Sequence, residues 1–299
     1  MTRQGAEILL AGVILARSTS YLVTKNSLET MGTFNLLAMR FLLASALLLP
    51  LLWRRREKLS PRTARRGLIL GAMFLGVMGA ELTGLRTAST SMTSFLENTA
   101  IVFVPLFHAA LTRRAPERHV LYGALTALAG VGLLTLGGGA GAPNAGMGWC
   151  LLAAVLYAAV ILVTGRFSRE EDPLLLGALQ VLFLGLLAAA VSFLTETPRL
   201  PGGGEWGAVI WLAVVCTGFG FTFQPMAQSR ITAERAGLFC ALNPVSAAVL
   251  GRVFLRERLG LQGIFGAALI LLSILVSKRG GELERPENPP VLPDTADCR

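Results

Sequence analysis

Two stretches decide how the chain is read: Ile8–Asn26, ILLAGVILARSTSYLVTKN, and Cys150–Phe167, CLLAAVLYAAVILVTGRF. A helix needs about 20 mostly apolar residues to cross a bilayer, and both stretches have that length and character. Each opens a block of five such runs. Each block also closes alike, with a helix ending in arginines, a brief break and a Gly-rich helix, over 95–133 and again over 239–276. The predicted spans are 7–25, 34–53, 67–85, 90–111, 119–137, 147–166, 174–194, 206–227, 235–255 and 260–277. Five crossings are an odd number, so the second block enters the membrane from the opposite side.

The expected fold is therefore an all-α membrane protein of ten transmembrane helices in two inverted five-helix repeats. The repeats cover 1–137 and 147–277, and 278–299 reads as a disordered cytoplasmic tail rich in proline and mixed charge. The N-terminus imitates a signal peptide, with Arg3, an apolar stretch and small residues near Ala16. The apolar pattern runs on to Val23 and has its counterpart in the second block, which reads as a retained first span.

Composition agrees with lipid as the solvent. Apolar residues make up 53% and charged residues 15%, with a mean hydropathy of +0.61, against about 25% charged in soluble domains. The net charge of +9 does not indicate nucleic acid, because the basic residues lie in short clusters between apolar runs. With a cytoplasmic N-terminus, the inside holds Arg3, the Arg54–Arg66 cluster, Arg113, Arg114, Arg118, Arg166, Arg169, Arg230, Arg235 and the basic tail. Only Lys25, Arg86, Arg199, Arg256 and Arg258 fall outside. This asymmetry places both termini in the cytoplasm and the chain in the inner membrane.

Inverted repeats of this kind mark secondary transporters, with a substrate site near the midplane. Polar groups inside the spans are then the candidates for that site, because lipid offers them no hydrogen bonds. A central Arg17 costs about 2.5–3.5 kcal/mol to insert, which the surrounding Ile, Leu and Val offset at about 0.3 to 0.6 kcal/mol each. Arg17, Tyr21 and Thr24 share one helical face. Arg17 is either a cavity cation that meets an acceptor on the cargo or half of an ion pair with Glu81 or Glu97. Those two carboxylates are candidate proton carriers. Ser91, Ser94, Asn98 and Pro105 form one stripe on span four, and Thr217, Phe221, Gln224 and Gln228 another on span eight. Each stripe is either a wet wall or a set of interhelical hydrogen bonds. Asn243 precedes Pro244, which frees a carbonyl near Cys240 and is a candidate hinge. Arg40 and Arg252 are expected to snorkel toward the outer surface. His108 reads as structural, with a proton relay as its other role. Gly123, Gly130, Gly132, Gly263 and Gly266 read as packing surfaces of a scaffold pair.

Other chemistry lacks a signal. GGGEWG at 202–207 matches a nucleotide-binding pattern but follows no strand. No P-loop, H-E-x-x-H or G-x-S-x-G occurs. His108 and His119 are too few for an ordinary metal centre, and Cys150, Cys216 and Cys240 lie in apolar runs as small hydrophobes. No cofactor, metal or catalytic residue is expected.

The segment Phe221–Leu259, FTFQPMAQSRITAERAGLFCALNPVSAAVLGRVFLRERL, resembles the end of the second repeat of EamA-like proteins in the drug/metabolite transporter superfamily. RFLLA at Arg40–Ala44, LRTAST at 85–90 and VFVPLF at 102–107 are similar to theirs as well. The resemblance implies ten transmembrane helices, a central cavity, and export or exchange of small metabolites such as amino acids by alternating access. The chain departs from the family where Arg17 and Arg252 stand in place of frequent Trp and Asn243 in place of frequent Glu. Arg113-Arg114 also replaces a common Gly-Glu pair, which the second copy keeps as Glu257-Arg258. On this reading the substrate-binding residues are Arg17, Tyr21, Glu97, Asn98, Phe221, Gln224 and Asn243, with Glu81 and Glu97 as proton-coupling groups and Pro244 as hinge. The partners are a small-molecule substrate and the lipid bilayer. A receptor or scaffold, and a lipid-modifying enzyme using Glu97 and His108, stand as alternatives. Oligomeric state, coupling ion and cargo are open at this point.

Overall fold

A computed structural model of the chain describes residues 2–28, 30–88, 90–113, 115–135, 145–246 and 261–283. Of residues 21, 22, 25, 26, 90, 91, 135 and 275–283 it describes the backbone alone. Among the described residues every regular element is helical: α1 (Arg3–Ser18), α2 (Ser20–Leu28), α3 (Thr33–Arg54), α4 (Pro61–Thr87), α5 (Thr90–Asn98), α6 (Ala100–Thr112), α7 (Arg118–Thr135), α8 (Ala145–Glu170), α9 (Pro173–Thr195) and α10 (Trp206–Trp211). A wide-turned π segment (Leu212–Phe219) leads into α11 (Gly220–Gln228) and α12 (Ala233–Phe239). The helical residues 242–246, α13, and α14 (Leu261–Leu283) complete the order. Six helices are long and apolar enough to cross a membrane, and two shorter apolar helices accompany them. Arg252, Glu257, Arg258 and the tail beyond Leu283 lie outside the described residues.

Local sequence explains where the helices start. Ser60 accepts from the Thr63 N–H at 3.0 Å ahead of Pro61, so α4 begins with a capped first turn and a proline that needs no donor. Asp172 does the same for α9 through the Leu174 and Leu175 N–H groups, again with a proline next. The N-terminus of α3 is capped from a distance: the Glu196 carboxylate, just beyond α9, accepts from the N–H groups of Phe34 and Asn35 at 3.1 and 2.8 Å. Asp172 in turn pairs with Arg55 and with Lys58 (2.9 Å) just past the C-terminus of α3. The antiparallel α3–α9 pair is thus tied at both ends.

The principal packing pairs are α3 with α9, α7 with α14, α4 with α8 and with α9, α9 with α11, and α1 with α11. The α7–α14 contact rests on two glycines. A Cβ on Gly130 would lie 2.7 Å from the Gly266 carbonyl, and one on Gly266 would lie 2.6 Å from the Gly130 carbonyl. Backbones this close admit no side chain between them. The largest buried side chains at the centre are Phe41, Phe74 and Phe221, with the Phe221 ring edge-on to Phe41 at 5.1 Å and to Phe74 at 5.0 Å. Leu47, Leu186, Phe193, Leu261 and Phe265 are exposed on the outside, as a lipid solvent permits.

Several helices are interrupted. α1 yields to α2 at Thr19 and α5 to α6 at Thr99, and each threonine hydroxyl turns back onto the carbonyl three residues earlier. In the π segment the Gly220 N–H reaches back to the Val215 carbonyl, and such wide turns recur at functional sites. Pro225 has no N–H for the Phe221 carbonyl, and Gln180 of α9 supplies the missing donor at 2.7 Å. Before Pro244, the Asn243 N–H takes the Cys240 carbonyl at 2.9 Å, so the carbonyl freed by that proline is satisfied in a tight turn.

Candidate functional site

The interruptions surround one small cavity. Arg17 in the last turn of α1, Ser20 and Thr24 of α2, Arg40 of α3, Glu81 of α4, Glu97 of α5, Phe221 of α11 and Asn243 of α13 line it, closed by Met78, Leu82 and Leu85. Its volume is about 20 Å³, room for roughly one water.

Arg17 is held in place from three sides. Its Nη1 donates to Gln224 Oε1 at 2.8 Å and to the Tyr157 hydroxyl at 3.1 Å. Its guanidinium carbon stands 4.4 Å from the Phe221 ring centre and 5.6 Å from that of Tyr157. Gly220 makes the approach possible, since a Cβ there would sit 2.7 Å from Arg17 Cγ. Arg40 is 3% exposed; its Nε donates to Thr217 Oγ1 at 3.1 Å, and its guanidinium lies 5.0 Å from the Phe41 ring centre. The expected snorkelling is therefore corrected. The π segment packs on α3, and Arg40 turns inward to the Thr217 hydroxyl that it presents.

Glu81 and Glu97 are 6% and 5% exposed. A buried carboxylate without a counter-charge is costly, and two guanidinium groups line the same cavity. Four ionisable groups of balanced formal charge thus meet in a space of low dielectric. Thr24 Oγ1, Glu81 Oε2 and Asn243 Oδ1 have no hydrogen-bond partner among the described residues. All three line the cavity, so its wall offers acceptor atoms beside the guanidinium donors.

Of the residues singled out from sequence, Arg17, Glu81, Glu97, Phe221 and Asn243 line this cavity. Gln224 lies behind Arg17 and orients it. Pro244 adjoins Asn243 in α13. Asn98 is directed elsewhere: its Nδ2 donates to the Ser94 carbonyl of its own helix at 2.7 Å, and it is not part of the lining. The side chains of Tyr21 and Ser91 lie outside the described residues. Tyr157 and Gln180 are functional neighbours that the sequence pattern does not single out. Tyr157 carried one available signal, a hydroxyl-bearing aromatic in an otherwise apolar span.

A second, wider space of about 800 Å³ opens at one end of the molecule, lined in part by Arg3, His108, Arg169, Arg230, Glu234 and Arg235. His108 meets Glu234 there, apart from the cavity that holds Glu97. Arg235 is 5% exposed and pairs with Glu7 of α1 at 2.8 Å, joining α1 to α12.

The EamA-like transporter family profile matches residues 4–136 and 144–278. An "Uncharacterized transporter YetK" of Bacillus subtilis (strain 168) is 26% identical over 288 residues, 92% of this chain and 87% of its own length. An "Uncharacterized transporter" of Archaeoglobus fulgidus is 27% identical over 279 residues, 91% of this chain and 85% of its own. A crystal structure 23% identical in sequence superposes with a TM-score of 0.80, covering 95% of this chain and all of its own, and shares the fold.

Proposed function

The chain belongs to the EamA-like transporter family, and from that premise we propose that it is a secondary transporter of small metabolites such as amino acids, working by alternating access as an exporter or exchanger. That it is a multi-pass membrane transporter follows from the family, the names of its relatives and its apolar helices. The finer reading rests on one observation: Arg17, Arg40, Glu81 and Glu97 converge on a single cavity beside interrupted helices. A cation pair next to a carboxylate pair matches a cargo carrying both a carboxylate and an ammonium. Arg17 supplies the fork for the carboxylate; Glu81, Thr24 and Asn243 supply acceptors for the amine. Glu81 and Glu97 are the proton-coupling candidates.

Alternating access needs two exchangeable halves, here 1–137 and 147–277 with ten spans. The packing supports that division. The α4–α8 contact corresponds to α11–α1, α4–α9 to the π segment with α3, and α6–α8 to α12–α1, while α3–α9 and α7–α14 map onto themselves. Exchanging the halves maps these pairs onto one another. The basic segments favour both termini in the cytoplasm, with the chain in the inner membrane. With room for about one water, the cavity widens before a metabolite enters. Breaks at Thr19, Thr99 and Cys240 are the hinge positions, with Pro244 holding the last of them open.

Counterflow in proteoliposomes loaded with single amino acids, with and without a pH gradient, tests the proposal. The wild type is expected to exchange at least one of them, and Arg17→Ala to abolish that exchange while eluting as a folded protein. Saturable binding with no flux would establish the receptor reading instead. Exchange unaffected by Arg17→Ala and by Arg40→Ala would remove the site.

A further inference from the structure

The C-terminal end of α3 carries a feature that the transport cavity does not use. Leu49 and Trp53 are 56% and 70% exposed there. With Pro50, Leu52 and Arg56 they line an apolar groove of about 540 Å³. The Arg56 guanidinium lies 4.6 Å from the Trp53 ring centre and rims the groove with charge.

The charges around it are unevenly satisfied. Arg55 and Lys58 neutralise Asp172, and Arg62 and Arg66 neutralise Glu170 and Glu171. Arg54, Arg56 and Arg65 are exposed and make no ion pair among the described residues. Glu57 is the acid of the same turn and makes none either. Three unpaired guanidinium groups against one free carboxylate thus leave an excess of positive charge where an apolar helix leaves the hydrocarbon, beside a tryptophan suited to the headgroup level.

We propose that this groove is a binding site for one anionic phospholipid. An acyl chain lies against Leu49, Pro50, Leu52 and Trp53, and the phosphate and acidic headgroup meet Arg56 and Arg54. Charge complementarity selects the occupant, because a zwitterionic headgroup adds a cation where positive charge is already in excess. Each arginine near an anionic lipid contributes about 1 kcal/mol, or about fivefold in affinity.

Native mass spectrometry of the purified protein titrated with phosphatidylglycerol or with phosphatidylcholine tests this. The wild type is expected to retain phosphatidylglycerol in preference. Arg54→Gln with Arg56→Gln should weaken that binding by about fivefold per arginine removed and leave phosphatidylcholine unchanged. Arg166→Gln, exposed on α8, should bind as the wild type does. Equal retention of the two lipids, unaltered retention in the double variant, or an equal loss in Arg166→Gln would overturn the site. Displacement by millimolar inorganic phosphate would reveal a free-phosphate site and overturn it as well. Quenching by bromine-labelled phosphatidylglycerol gives a reading on protein with both arginines intact. It should fall in Trp53→Phe, and quenching equal to that of the wild type would also refute the proposal.

Discussion

Gln180 of α9 donates its side-chain N–H to the main-chain carbonyl of Phe221 at 2.7 Å, the acceptor that Pro225 leaves without a helical partner. Both groups are buried, so the bond joins the second half's long helix to the aromatic that lines the cavity. Gln180→Leu leaves that carbonyl unpaired at a cost of about 1–3 kcal/mol, read as a lower thermal midpoint in detergent. Pro225→Ala restores an N–H at position 225. In the double variant the loss should shrink, which a thermal-shift cycle over the four proteins measures.

Arg17 satisfies Gln224 and Tyr157 from one nitrogen while stacking over Phe221. Lysine carries the charge without the planar fork. Arg17→Lys is expected to fold but to exchange cargo at least about tenfold more slowly, since a lost charge-assisted bond costs about 1.5–3 kcal/mol. Initial counterflow rates at matched protein density decide the point.

Outside the membrane-spanning segments, the Thr30 hydroxyl, the Gly202 N–H and Arg199 hold the Glu205 carboxyl down at about 2, from an ordinary 4.5. Burial would raise the Asp172 carboxyl, but Lys58, the Leu175 N–H and Arg55 outweigh it and hold it below its ordinary value. A carboxyl depressed in the folded state stabilises the fold fully above its unfolded value and loses that contribution as pH falls through its folded one. The thermal midpoint should therefore decline between pH 4.5 and about 2. In Glu205→Gln part of that slope should vanish, and a melting series across the range reads it.

Arg113 closes α6 with φ 55°, in the left-handed region. Glycine adopts that conformation without the steric cost borne by other residues. Arg113→Gly relieves about 1–2 kcal/mol of left-handed strain against about 0.5–1 kcal/mol of added unfolded-state entropy, so a slightly higher thermal midpoint is expected, with transport unchanged.

Hydropathy carried most of the helix positions, because a bilayer forces long apolar runs and hides little. The interruptions were less legible. Pro244 announced its own, whereas the breaks at Thr19 and Thr99 contain neither glycine nor proline and arise from hydroxyl groups folding back on the backbone. The inward turn of Arg40 is illegible for a related reason: the direction of its side chain depends on how α3 is rotated against α9 and the π segment, which no single span records. Asn98 shares a stripe with Ser94 and spends its amide on that residue's carbonyl, a local bond that periodicity does not distinguish from a cavity wall. Tyr157 and Gln180 act across 140 and 41 residues of chain, distances over which helical spacing carries no information.

The capping of α3 by Glu196 and the pairing of Asp172 with Arg55 and Lys58 have a mechanical corollary. A pair of rods pinned at opposite ends cannot slip lengthwise without breaking one of these ties, so any rearrangement that keeps them turns about this pair as about an axle. The travel available to the rest of the molecule is then angular and greatest in the helices farthest from the pins.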